Sequence, residues 1–169
     1  GHGLLNAAQG LKACDMFAVL RLEEALTLRE AHYQHPILLL EGVFHASELP
    51  YLSQHTLSMV VHTEQQVTML ENADLSHPIQ VFIKMNSGMN RLGFKPEVFK
   101  SMVERLSACS NVSNLHLMTH FATADDARGI AAPLAIFQQA TQGLNHPVSL
   151  ANSATILCHP QAHADWVRP

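Results

Sequence analysis

Lys84, His120, Asn152, Ser153 and Arg168, each at or just beyond the end of an apolar run, and Arg91, in the loop after Lys84, are the residues of this chain best suited to chemistry. The sharpest case is Val81-Phe82-Ile83-Lys84-Met85-Asn86-Ser87-Gly88-Met89-Asn90-Arg91-Leu92-Gly93, where an apolar strand-like segment runs into a lysine and then a glycine-hinged loop carrying an arginine. A lysine ending a buried strand must be paired or neutralised, since an unpaired ammonium out of water costs several kcal/mol. Gly88 and Gly93 let the backbone turn sharply around Arg91. Two cations in one buried mouth repel, so one of them must be neutralised, paired with a carboxylate or chemically converted. Carbamylation of Lys84 would reverse its sign. The plain alternative has Lys84 reaching solvent along its stem and Arg91 serving as an ordinary loop cation.

The other candidates carry similar pairs of readings. His120, in Met118-Thr119-His120-Phe121-Ala122, can stack on a flat ring or orient Arg91, or it is a satisfied packing residue. Asn152-Ser153-Ala154 opens a short helical stretch after a strand, so Ser153 and the first free N–H groups can accept a phosphate, or Ser153 is a plain N-cap. Arg168 is an anion or ring-nitrogen partner, or a salt-bridge cation. Among twelve histidines, His116/His120 and His159/His163 are the candidate metal pairs, but no carboxylate–His–His set has a known ligand spacing, so no metal is expected. The chain has no Gly-x-Gly-x-x-Gly, no P-loop lysine and no Gly-x-Ser-x-Gly elbow, which lowers nucleotide and serine-hydrolase readings.

Elements that would hold these residues in one place are legible as apolar runs of strand length at Met16–Leu20, Ile37–Leu40, Leu57–Val61, Ile79–Ile83, Leu115–Thr119, Val148–Ala151 and Asp165–Val167. Segments of helical period lie between them, among them Leu22–Leu28, Val67–Leu70, Val98–Leu106 and Leu134–Phe137. Lys95-Pro96-Glu97 puts proline at a first turn, Thr63-Glu64-Gln65-Gln66 resembles a capping box, and Ala46-Ser47-Glu48 begins a short helix. The strands are nearly continuous apolar runs, as parallel strands covered on both faces require. Seven β–α units in series predict a TIM-type (β/α)8 barrel lacking its first strand, with a doubly wound sheet as the fold alternative. In such barrels active sites gather at the C-terminal strand ends, which would place Glu41, His62, Lys84, His120, Asn152-Ser153 and Arg168 around one mouth.

Composition narrows the partner. With 169 residues, 47% hydrophobic and 14% charged, the chain can build the core of one domain. A net charge of −4 and ten scattered basic residues give no footprint for nucleic acid or an anionic membrane, so a small molecule is the expected ligand. No apolar run approaches the ~20 residues of a membrane span and no signal peptide is visible, which makes the cytoplasm the default. Cys14, Cys109 and Cys158 are read as free thiols. The opening Gly1-His2-Gly3 and the closing Trp166-Val167-Arg168-Pro169 look cut from a longer chain.

Taken together, these residues resemble the alanine racemase family, pyridoxal-phosphate enzymes whose N-terminal domain is an eight-stranded α/β barrel. The resemblance covers the whole chain: Gly1-His2-Gly3, Ala18–Ala25, Ile37–Gly42, Lys84–Gly93, Thr119–Ala122, Asn152-Ser153-Ala154 and Asp165–Pro169 stand in the family's order and approximate spacing. It implies that residues 1–169 are most of the cofactor-binding barrel domain of an enzyme interconverting L- and D-alanine as a homodimer. By the same resemblance Arg91 would bond the cofactor's phenolic oxygen, and a carbamylated Lys84 would fix Arg91. His120 and Arg168 would meet the pyridine ring and its nitrogen, and Ser153, beside Asn152, would bind the phosphate. The family's two bases, the cofactor lysine and a tyrosine of a partner's C-terminal domain, match no residue here. The implied roles of Lys84, Arg91 and His120 are therefore supporting ones, and the fragment alone is expected to be inactive. The rival readings are another barrel enzyme using pyridoxal phosphate, such as a decarboxylase or a broad-specificity racemase, and a non-catalytic cofactor-binding barrel.

Overall fold

A computed structural model describes all residues from Gly1 to Pro169. Seven strands form its sheet: β1 (Phe17–Val19), β2 (Ile37–Leu39), β3 (Leu57–Val61), β4 (Ile79–Lys84), β5 (Val112–Met118), β6 (Val148–Asn152) and β7 (Trp166–Arg168). The helices are α1 (Leu4–Gly10), α2 (Leu22–Glu30), α3 (Leu49–Gln54), α4 (Glu64–Glu71), α5 (Pro96–Ala108), α6 (Ala131–Ala140) and α7 (Ser153–Cys158). Each strand pairs in parallel with the next, in the order β1-β2-β3-β4-β5-β6-β7. A doubly wound sheet reverses its strand order partway, and this one never does. The architecture is therefore a partial (β/α)8 barrel, seven strands curled with their helices outside.

The expected runs become strands for the anticipated reason. Alternate residues of each strand point to opposite faces, and both faces are apolar. Ile37, Leu39, Met59, Val61, Val81, Ile83, Leu115 and Leu117 join the large cluster beneath the helices, while Leu38, Val60, Phe82 and Met118 form a second, inner cluster with Met16, Leu40 and Trp166 beside it. Below that inner layer Ser58 donates to Gln80 at 3.3 Å, and the Gln80 amide meets the His116 ring at 3.3 Å. Above it, by the same alternation, come His62, Lys84 and His120, each two residues past an inner apolar residue.

Three expectations shift. Helix α1 has no counterpart in the segments read as helical, because Ala8 is its one buried residue and it leaves almost no apolar stripe. Strand β7 runs to Arg168 rather than stopping at Val167, so the arginine lies in the sheet. The capping box at Thr63 is displaced: Thr63 Oγ1 accepts the Gln66 N–H at 3.3 Å, but the Gln66 side chain turns inward. Its amide donates to the carbonyls of Glu41 and Val43 and its oxygen accepts the His62 N–H at 2.9 Å, tying the β2 and β3 ends of the mouth together.

Candidate active site at the C-terminal mouth

Lys84 closes β4 with 8% of its surface exposed, and the molecule's three ion pairs all lie elsewhere. Burial, with Arg91 and then Arg168 nearby, pushes its ammonium down to about 8, and the carboxylate of Glu41 offsets this only in part. The awkward charge read in the sequence is thus real and unrelieved by a direct partner.

The loop after Lys84 is built to hold its shape. Phe94 donates to the Lys84 carbonyl at 2.9 Å and its own carbonyl accepts the Asn86 N–H at 2.8 Å, pinching the loop at its base. Asn86 Oδ1 accepts the N–H groups of Gly88 and Asn90 at 3.1 and 3.0 Å, and Asn86 Nδ2 donates to Asn90 Oδ1. Gly93 has φ +120°, and a Cβ there would lie 2.7 Å from Asn86 N and from the Met85 carbonyl carbon, so no side chain fits. Arg91 is exposed at this loop beside a cavity of about 320 Å³ lined also by His62, Asn86 and Asn90. A larger groove of about 450 Å³ lies on the outer surface between Pro50 and Met69, far from the cation cluster.

His120 follows β5 and is half-buried. Burial, then Arg168, Lys84 and Arg91 in turn, push its imidazole down to about 4, so the ring is neutral at ordinary pH. Asn152 Nδ2 points to His120 Nε2 at 3.5 Å, and a neutral ring accepting there carries its hydrogen on Nδ1. The same amide donates to the Phe121 carbonyl at 3.0 Å, while Asn152 Oδ1 accepts from the Thr155 N–H and hydroxyl. The N-cap of α7 is therefore Asn152 rather than Ser153, and Ser153 is exposed as the first helical residue. His62 is also held below its ordinary range, first by burial, and its Nε2 meets the Glu41 carbonyl at 3.0 Å.

Arg168 completes the ring of charge from β7. Its Nη1 donates to the Ser149 hydroxyl and its Nη2 to the carbonyls of Thr119 and Leu150, at 2.7 and 3.3 Å for the latter two. Burial lowers it to about 10, and it remains a cation. Lys84, Arg91, His120 and Arg168 thus share one electrostatic environment. The histidine pairs singled out as candidate ligands are used differently: His159 and His163 each meet a backbone carbonyl at 3.0 Å, and His116 packs on Phe82 and Trp166. No group of three or more His, Cys, Asp or Glu side chains is placed to hold a metal ion.

A family profile described as "Alanine racemase, N-terminal domain" matches residues 1–169. The chain belongs to the alanine racemase family. It is 50% identical over its full length to "Alanine racemase, catabolic" of Klebsiella aerogenes, and 47% identical to an alanine racemase of Burkholderia mallei, covering 48% of each. Its fold superposes on the biosynthetic alanine racemase of Pseudomonas aeruginosa with a TM-score of 0.93 at 39% identity, and on an alanine racemase of E. faecalis with 0.87 at 32%. These matches cover 100% and 99% of this chain and 48% of each solved chain. The chain spans about half the length of the alanine racemases it matches.

Sequence reasoning missed Thr119, Ser149 and Gln66, which make the contacts that hold the mouth. A polar residue inside an apolar strand run, as Ser149 is in Val148–Ala151, was the one available signal.

Proposed function

We propose that residues 1–169 form most of the cofactor-binding barrel domain of an alanine racemase, which interconverts L- and D-alanine with pyridoxal phosphate. The donor set fits that cofactor: a flat pyridine ring with a phenolic oxygen and a phosphate suits a mouth of cations in which His120 is neutral. Pyridoxal phosphate supplies an electron sink that makes the Cα proton of a bound amino acid acidic. Within this reading Arg91 donates to the phenolic oxygen, His120 lies against the ring, and Ser153 with the first N–H groups of α7 donates to the phosphate. Arg168 faces the ring nitrogen as a pure donor and cannot hand over its proton, so that nitrogen stays unprotonated. This disfavours transamination and leaves proton exchange at Cα.

Lys84 is prepared for conversion. With an ammonium held down to about 8, roughly a tenth of the side chain is free amine at pH 7. Its nitrogen attacks carbon dioxide, an N–C bond forms, one proton leaves to solvent, and the resulting carbamate anion accepts hydrogen bonds from Arg91. One cation of the crowded mouth becomes an anion. The two bases that exchange the Cα proton are assigned to a lysine and a tyrosine outside residues 1–169, and the working enzyme to a homodimer in the cytoplasm. No helix of this chain is long and apolar enough to cross a membrane.

The observation that carries this reading is the guanidinium at the end of β7 with no carboxylate within ion-pair distance. A barrel decarboxylase is expected to offer the ring nitrogen a carboxylate instead. The test is the full-length protein loaded with pyridoxal phosphate and supplied with L-alanine: D-alanine forms, and Arg168→Glu lowers that rate while raising the share of pyruvate. Cofactor binding without D-alanine would favour a non-catalytic barrel.

A further inference from the structure

Thr119, the first residue beyond β5, is fully buried and uses every polar atom it has. Its hydroxyl lies 2.9 Å from the Met85 carbonyl and 2.7 Å from the Ser87 hydroxyl. The Met85 oxygen can only accept, so Thr119 gives it its single hydrogen, and Ser87 in turn donates to Thr119 Oγ1. The Thr119 N–H donates to the Ser149 carbonyl at 3.2 Å, and the Thr119 carbonyl accepts Arg168 Nη2 at 2.7 Å. Ser149 also takes Arg168 Nη1 on its hydroxyl. One residue therefore grips the root of the Arg91 loop with its side chain and Arg168 with its main chain.

The loop itself is stiff from Met85 to Phe94, through the pinched base and the Asn86 side chain. A stiff unit is placed by its root, so a shift at Met85 and Ser87 carries Arg91 with it. We propose that Thr119 is a positioning residue that sets the spacing between Arg91 and Arg168, and with it the length of flat ligand both can hold at once. This rests on the reading of those arginines as the partners of the phenolic oxygen and the ring nitrogen of pyridoxal. Thr119 touches neither ligand nor reacting atom and acts through the two arginines.

The test compares Thr119→Val, which removes the hydroxyl at nearly constant shape, with Thr119→Ser, which keeps it, in the full-length protein. Amide hydrogen exchange and the affinity for added pyridoxal phosphate are both measured. Thr119→Val is expected to speed exchange across residues 85–94 about tenfold and weaken pyridoxal phosphate binding about tenfold, while β2 and β3 exchange as in the wild type. Thr119→Ser is expected to restore both to within about twofold. Ser87→Ala, which keeps the Thr119–Met85 bond, gives a smaller acceleration confined to the same loop and serves if Thr119→Val fails to fold. Unchanged loop exchange, acceleration spread evenly over the sheet, or no rescue by serine each overturn the proposal. Wild-type protein that fails to bind pyridoxal phosphate overturns the proposed function instead, and the exchange pattern still decides the role of Thr119.

Discussion

Arg105 on the outer surface and Arg168 at the mouth are handled in opposite ways. Arg105 of α5 meets Glu71 at 2.7 Å and Glu64 at 2.8 Å, both on α4, and these carboxylates push its guanidinium well above its ordinary value. Arg168 has no carboxylate; a hydroxyl and two carbonyls hold it, and it shares its surroundings with Lys84, which burial and the arginines push down. Folding alone would favour pairing both. The outside of the barrel neutralises its charge within the chain, whereas the mouth leaves its positive charge unpaired, as the anionic cofactor proposed for it would require.

The sharpest way to break this contrast is to disturb the mouth's backbone. Gly93→Ala forces a Cβ to within 2.7 Å of main-chain atoms at φ +120°, and is expected to cost about 3 kcal/mol in chemical denaturation. Arg168→Leu should cost about 2 kcal/mol, because the Ser149, Thr119 and Leu150 acceptors lose their donor; a loss no larger than that of Arg105→Leu would erase the distinction.

Lys84→Met works in the other direction. The folded ammonium sits at about 8 against 10.5 when free, so the unfolded chain binds more protons between those values and stability rises as pH climbs through them. In protein stripped of carbon dioxide, Lys84→Met should therefore be more stable than wild type at pH 7, with the gain fading between pH 8 and 10.5. A gain that persists unchanged at high pH would count against the charge as its cause.

His120 gives a smaller, acid-side effect. Held at about 4 against 6.5, it supplies stability that is present above pH 6.5 and lost as pH falls through 4, and His120→Gln should flatten that part of the profile. Smallest of all, Arg105→Leu should scarcely move thermal unfolding, and salt should remove what difference there is.

Much of the mouth was legible because strand ends can be read from apolar runs, and the two-residue alternation then aligns Lys84 with Phe82 and His120 with Met118. The glycine hinge at Gly93 announced itself for the same local reason. Thr119, Ser149 and Gln66 did not, since their partners lie 25 residues away for Gln66–Glu41, 34 for Thr119–Met85 and 19 for Ser149–Arg168. Nothing local separates the Thr119 hydroxyl or the Gln66 amide from a solvated one, and Ser149 is marked only by its place inside an apolar run. Asn152 shows the intermediate case: a cap was foreseen at this junction, but which of two adjacent polar residues would provide it depended on Thr155 and Phe121.

The strict succession of strands has a bearing on how the chain is made. Phe17 pairs with Ile37 and Ile37 with Leu57, so each early strand finds its neighbour roughly 20 residues downstream. On the ribosome, where synthesis runs at about 5–20 residues per second, every new β–α unit meets a partner that has already emerged and need not await the far end of the chain. Arg168 docks onto Ser149 and Thr119, so the mouth's positive charge is complete only once β7 has followed β5 and β6 into the sheet.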